Sequence, residues 1–92
     1  MKTIYKYNLQ VTDKQQIELP KEAKILCVQV QHGEPQLWAE IDTAATLEAR
    51  MIEIFGTGHP ISQEIGQSRR YISTFQIDNG AFVFHAYEYT GV

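Results

Sequence analysis

Short segments in which polar and apolar residues alternate, each bounded by turn residues, fill most of this 92-residue sequence. The clearest pair spans 24–31 and 36–41, with 32–35 as a tight connection. Side chains of a strand point alternately to its two faces, so this pair should have one wholly apolar face. That face is predicted to consist of Leu26, Val28, Val30, Leu37, Ala39 and Ile41.

The same pattern extends along the chain and sets the fold class. The predicted strands are 3–9, 15–19, 24–31, 36–41, 51–55, 70–77 and 81–89. The first two are expected to pair as a hairpin, and Asn79-Gly80 favours a type I′ hairpin turn because both central positions need positive φ. The spacing predicts a single all-β domain over 1–92, an antiparallel β-sandwich or small barrel of about seven strands. It allows at most one short helix, at about 43–50, where the composition is helical.

Composition and charge exclude several classes of function. The net charge of -3, from 8 basic and 11 acidic residues, argues against binding to a DNA or RNA polymer. No apolar run reaches transmembrane length and no signal peptide is recognised, so a cytoplasmic protein without a membrane partner is expected. Cys27 is the one cysteine and is expected to be a small buried side chain. A chain this small gains stability from association, so a homo-oligomer, a dimer or tetramer, is expected.

The segment 56–61, Gly-Thr-Gly-His-Pro-Ile, is the most unusual polar stretch. Thr57 offers a hydroxyl, His59 offers an imidazole, and Gly58 lets a ligand approach the backbone, which together favour an anion or nucleotide contact. The alternative is a plain turn closed by proline. The segment lacks the lysine of a P-loop and the third glycine of a dinucleotide fingerprint.

Two further places carry candidate binding residues. Arg69-Arg70-Tyr71 ends the long loop that Gly56 begins, and the two loop ends are expected to lie close together. Arginine pairs with phosphate oxygens and an adjacent aromatic ring can stack on a base; the alternative is an exposed, charged loop end. Trp38 is expected on the polar face of its strand, either as a stacking platform or as an anchor at a subunit interface.

Catalysis, a metal and a cofactor are not expected. The spacings of His32, His59 and His85 match no metal motif. His85 is expected to be a hydrogen-bonded residue in a half-buried sheet. Thr57 with His59 lacks the activated base and oxyanion site that a hydrolase needs.

Four segments resemble a family of small phage and prophage proteins that is known as a domain of unknown function. They are the run from Lys24 to Asp42, the Gly-Thr-Gly-His-Pro-Ile segment at 56–61, Arg-Tyr-Ile-Ser-Thr-Phe-Gln at 70–76 and Phe-Val-Phe-His at 82–85. The resemblance covers nearly the whole chain. Ser73 stands where the family pattern leads us to expect glycine.

The resemblance implies a protein similar to the anti-CBASS sponges of phages, which bind a cyclic nucleotide such as 3′,3′-cGAMP and keep host immune effectors switched off. Under this hypothesis the chain works in the host bacterial cytoplasm as a homo-oligomer and does not cleave its ligand. The residues expected to bind the ligand are Thr57, Gly58, His59, Arg69, Arg70, Tyr71 and Trp38. The alternative is a phage accessory module that inhibits a host protein through a sheet surface.

Overall fold

The computed structural model describes residues 1–61 and 68–91, and this part of the chain contains strands and turns but no helix. The strands are β1 Lys2–Asn8, β2 Lys14–Pro20, β3 Lys24–Gln31, β4 Glu34–Asp42, β5 Leu47–Gly56, β6 Ser68–Ile77 and β7 Phe82–Gly91. They form two antiparallel sheets whose Cα atoms occupy a slab of 40 × 37 × 15 Å. The predicted seven-stranded β-sandwich is therefore confirmed.

Sheet A has the strand order β1-β4-β3, and sheet B has the order β2-β5-β7-β6. The expected first hairpin is wrong, because β1 pairs with β4 while β2 pairs with β5 in the other sheet. Strand pairing depends on long-range burial, which the local alternation of the first twenty residues does not report.

The core lies between the sheets and is formed by the inward faces of both. Its most deeply buried side chains are Leu19, Val28, Leu37, Ile41 and Ile52. Leu37, Ala39 and Ile41 share the inner face of β4 as predicted, and each is at most 2% exposed. Burying a side chain of this size contributes about 1.5–3 kcal/mol to folding.

The two other predicted hairpin turns, at Asn79-Gly80 and between β3 and β4, are present. The amide of Ala81 donates to the carbonyl of Asp78, with φ of 54° at Asn79 and 87° at Gly80, as a type I′ turn requires. The connection between β3 and β4 is the pair His32 and Gly33, also with positive φ.

The segment 43–50 is not helical. A turn occupies 43–46, and β5 begins at Leu47, four residues before the predicted start of this strand. Residues 47–50, which the prediction did not include in this strand, pair with β2, from Pro20 opposite Leu47 to Ile17 opposite Arg50. A helical composition of eight residues is too weak to compete with ladder hydrogen bonds and with burial between two sheets.

Two of the three β-bulges in the described strands change which side chains face the core. One shifts the register between Ile25 and Cys27, and Leu26 is left 42% exposed instead of lying in the core. The other shifts the register between Tyr71 and Ser73. A bulge adds one residue to a strand, so residues on its two sides exchange faces relative to simple alternation.

The two bulged strands meet at one edge of the sandwich. There the amide of Val28 in β3 donates to the Ser73 hydroxyl in β6 at 2.9 Å, in a buried setting. This bond joins sheet A to sheet B. Ser73, the residue that departs from the expected family pattern, thus satisfies a backbone donor of the edge strand β3.

An ion pair lies between the sheets at the other end of the core. The Arg50 guanidinium donates to both carboxylate oxygens of Glu88 and, through Nη1, to the carbonyl of Ala23 at 2.9 Å. The side chains are 16% and 9% exposed. The hydrogen bond to Glu88 raises the pKa of Arg50 above its usual value.

Candidate binding surfaces

The outer face of sheet B is lined with aromatic side chains. This aromatic face consists of Phe55, Tyr71, Tyr87 and Tyr89. The Tyr87 ring is in edge contact with Phe55 at 5.7 Å and with Tyr71 at 5.5 Å between ring centroids. Tyr71 is 54% exposed. Edge-to-face packing holds the rings rigidly, which leaves Tyr71 as a preformed flat surface for a second ring.

A chain of hydrogen bonds runs beside these rings. The Tyr71 hydroxyl is 2.7 Å from Thr74 Oγ1, which is 2.9 Å from His85 Nδ1; His85 Nε2 is 2.7 Å from Thr57 Oγ1. The prediction that His85 is a hydrogen-bonded residue of a half-buried sheet is confirmed. A neutral imidazole has one donor and one acceptor nitrogen, so the chain has a direction. We call these four residues the hydroxyl–imidazole chain.

Arg69 crosses the same face. Its Nε is 2.8 Å from Glu53 Oε1, and its guanidinium carbon is 5.6 Å from the centre of the Phe55 ring. The Arg69 and Glu53 side chains are 15% and 10% exposed. Glu53 raises the pKa of Arg69 and already offsets its charge. An anion at Arg69 would have to compete with this carboxylate.

His59 lies just after the turn that follows β5, in a position that depends on Gly56. A Cβ on Gly56 would come within 2.7 Å of two atoms of the imidazole ring, so only glycine permits this approach. A groove of about 460 Å³ opens beside the ring and is lined by Asp13, Lys14, Glu53, Ile54, Phe55, His59 and Pro60. Lys14 also holds its ammonium 4.3 Å from the centre of the Tyr89 ring, so it links the groove to the aromatic face.

The two ends of the long loop do not meet, contrary to expectation. β5 and β6 both pair antiparallel with β7, Gly56 opposite Phe84 and Arg69 opposite Tyr89. The two backbone positions are thus five residues apart along β7, about 16 Å, and β7 lies between them. The predicted loop residues 62–67 lie outside the described residues.

The expected ligand-binding residues divide among several places. Thr57, Tyr71 and Arg69 reach the aromatic face. Gly58 lies in the exposed turn between Thr57 and His59 at φ 85°. The side chains of Thr57 and His59 therefore have different neighbours, one His85 and the other Gly56.

Arg70 and Trp38 lie elsewhere. In the register of the two strands, Arg70 lies opposite Glu88, which is an inward position. Arg70 belongs to the edge strand β6 and is exposed. Trp38 is on the outer face of sheet A, the far side of the sandwich. Trp38 is half-buried, as is Cys27 opposite it, so Cys27 is less buried than expected.

Several residues of the surface were not predicted from the sequence. Lys14, Glu53, Phe55, Thr74 and Tyr87 complete the aromatic face, its ion pair and its hydrogen bonds. The alternation of 83, 85, 87 and 89 did place His85 and two tyrosines on one face. The strand order that brings Phe55 and Tyr71 to either side of Tyr87 has no local signal.

Within residues 1–61 and 68–91, no three His, Cys, Asp or Glu side chains are grouped so that they could hold a metal ion. The same residues include no helix long and apolar enough to cross a membrane.

The fold and surfaces define a class of protein: a small two-sheet β-sandwich with aromatic side chains on one outer face. The model of one family, described as a domain of unknown function (DUF7352), matches residues 1–91, and the chain belongs to this family. No curated protein matches the sequence, and no solved structure matches it either.

Proposed function

We propose that this protein is a sponge that binds a cyclic nucleotide such as 3′,3′-cGAMP and sequesters it without cleaving it. The observation that carries the proposal is the aromatic face. The hydroxyl–imidazole chain runs along it, and the groove lined by Lys14 and His59 lies at its end. The resemblance to phage proteins supports the same proposal. In the setting it implies, the host bacterial cytoplasm, a phage protein of this kind lowers the free concentration of a defence signal.

A nucleotide needs a stacking surface, groups for its polar edges and positive charge for its phosphates. Tyr71 supplies an exposed ring held by Tyr87. Thr57 lies at the end of the hydroxyl–imidazole chain and supplies a hydroxyl. Lys14 and His59 border a groove within the usual size range of ligand pockets.

Tight sequestration requires more contacts than one shallow face offers. A nanomolar dissociation constant corresponds to about −12 kcal/mol, and a stacked base contributes about 1–3 kcal/mol. The proposal therefore includes a homo-oligomer, a dimer or tetramer, in which a second copy covers the ligand on the aromatic face.

Calorimetry with a panel of cyclic di- and trinucleotides tests the proposal, followed by recovery of the ligand from denatured protein. Intact ligand is expected, and Tyr71→Ala should weaken binding about 5- to 150-fold through loss of stacking. Tyr5→Ala is the matched control, because Tyr5 is 49% exposed and lies in sheet A. If no member of the panel binds, or if the recovered ligand is cleaved, the sponge proposal is wrong.

A second candidate is a module that inhibits a host protein. The observation in its favour is that the aromatic face combines tyrosines with Arg69, residue types that dominate binding energy at protein interfaces. His59→Ala separates the candidates. It should weaken nucleotide binding in the groove but leave attachment to a protein partner on the aromatic face largely unchanged.

A further inference from the structure

A row of amide side chains crosses the outer face of sheet A, on the opposite side of the sandwich from the aromatic face. In the strand register, Asn8 of β1 and Gln29 of β3 lie on either side of Gln36 of β4. Gln36 shares its face with Trp38, two residues along the same strand. Side-chain amides carry both donors and acceptors and read the edges of planar heterocycles.

Gln36 is the exceptional member of this row. It is only 5% exposed although it lies on an outer face, and its Oε1 atom accepts no hydrogen bond from any described residue. A buried acceptor without a partner is costly, and nearly all such groups in folded proteins are satisfied. The site is therefore built to accept an N–H or O–H that the described part of the chain does not supply.

The neighbouring residues supply a flat surface and a cover that can open. Trp38 lies between Lys6 on β1 and Cys27 on β3. The Lys6 ammonium donates to Gln31 Oε1 at 2.6 Å, so the bond runs from one edge strand to the other past Gln36. This bond is exposed and is held by a flexible lysine, so a ligand can displace it.

We propose that this surface is a second binding site, which takes an adenine-type base. The 6-amino group of the base donates to Gln36 Oε1, N7 accepts from Gln36 Nε2, and the ring stacks on Trp38. This two-point pairing is the standard way in which glutamine reads adenine. The uncharged amide row suits a neutral heterocycle, and the site does not depend on the function proposed for the aromatic face.

Trp38 gives this site its own signal, because it is the sole tryptophan of the chain. Adenosine should quench the tryptophan fluorescence in a saturable manner. Inosine has nearly the same shape but carries a carbonyl oxygen in place of the 6-amino group, so it should bind at least tenfold more weakly. The absence of saturable quenching by adenosine into the millimolar range, or equal affinity for the two nucleosides, overturns the proposal.

Two variants test the roles of the residues. Gln36→Leu should abolish adenosine binding while raising the unfolding temperature, because it removes an unsatisfied buried acceptor; a misfolded variant would lower that temperature. Lys6→Met removes the cover and should strengthen binding. Gln16→Leu, on sheet B, is the matched control and should change neither property. If Gln36→Leu retains full affinity, or if the site is lost equally in Gln16→Leu, Gln36 does not read the base.

Discussion

Replacing Glu88 with leucine should destabilise the sandwich severely, because it leaves the Arg50 guanidinium charged and buried. The side chain of Arg50 is 16% exposed, and its two bonds to Glu88 would be lost, while the bond to Ala23 and a looser ion pair with the more exposed Glu48, at 3.9 Å, remain. Arginine does not lose its proton to escape burial, so the charge stays on Arg50 in the variant.

The magnitude follows from the burial of the pair. Removing one partner of a fully buried pair costs about 3–5 kcal/mol, and the residual exposure of Arg50 places the expected cost near the lower end, about 3 kcal/mol. For a domain of this size each kcal/mol lowers the unfolding temperature by about 4–8 °C, so a drop of about 12–24 °C is expected.

Urea denaturation followed by circular dichroism measures this cost, and a double variant gives the decisive control. Arg50→Met with Glu88→Leu replaces the pair by apolar side chains and should recover most of the lost stability, since such replacements are often neutral. If Glu88→Leu costs less than about 1 kcal/mol, or if the double variant is no more stable than the single one, the loss of the buried partner of Arg50 is not the cause.

Three smaller perturbations test other contacts. Ser73→Ala should cost about 1–3 kcal/mol in urea denaturation by leaving the Val28 amide unpaired; an unchanged midpoint would mean that water replaces the hydroxyl. Gly56→Ala should destabilise the fold through contact with the His59 ring, and adding His59→Ala should relieve most of that cost; strictly additive effects would contradict the contact. The pKa of Asp42 is lowered from 3.8, chiefly by a backbone N–H two residues further on. Its stabilisation is therefore present above the unfolded pKa and lost as pH falls through the lower folded value, so Asp42→Asn should be less stable than the native chain near neutral pH, and the difference should vanish once the pH is below the folded pKa; a difference that does not shrink in acid would refute this cause.

The strands and turns of this fold could be predicted from the sequence because their signals are local. The alternation at 36–41 identified the inner face of β4, and Asn79-Gly80 identified a turn that needs two positive φ angles. These features depend on residues within a few positions of one another.

The features that set the geometry of the surfaces are not local. Simple alternation placed Tyr71 on the face of Ser73, whereas the bulge between them puts Tyr71 beside Tyr87 on the outer face. Likewise, the proximity of Gly56 and Arg69 was inferred from their places at the ends of one loop. The order of β5, β7 and β6 separates them, because a strand inserted between two others has no signature in either.

The separation of β1 and β2 into different sheets has a consequence for the integrity of the chain. Residues 1–46 hold all the described strands of sheet A, and they also hold β2, which pairs only with β5 of sheet B. β2 is thus a donor strand that the first half of the protein inserts into the edge of the second. A chain cut in the 43–46 turn would remain joined through this strand.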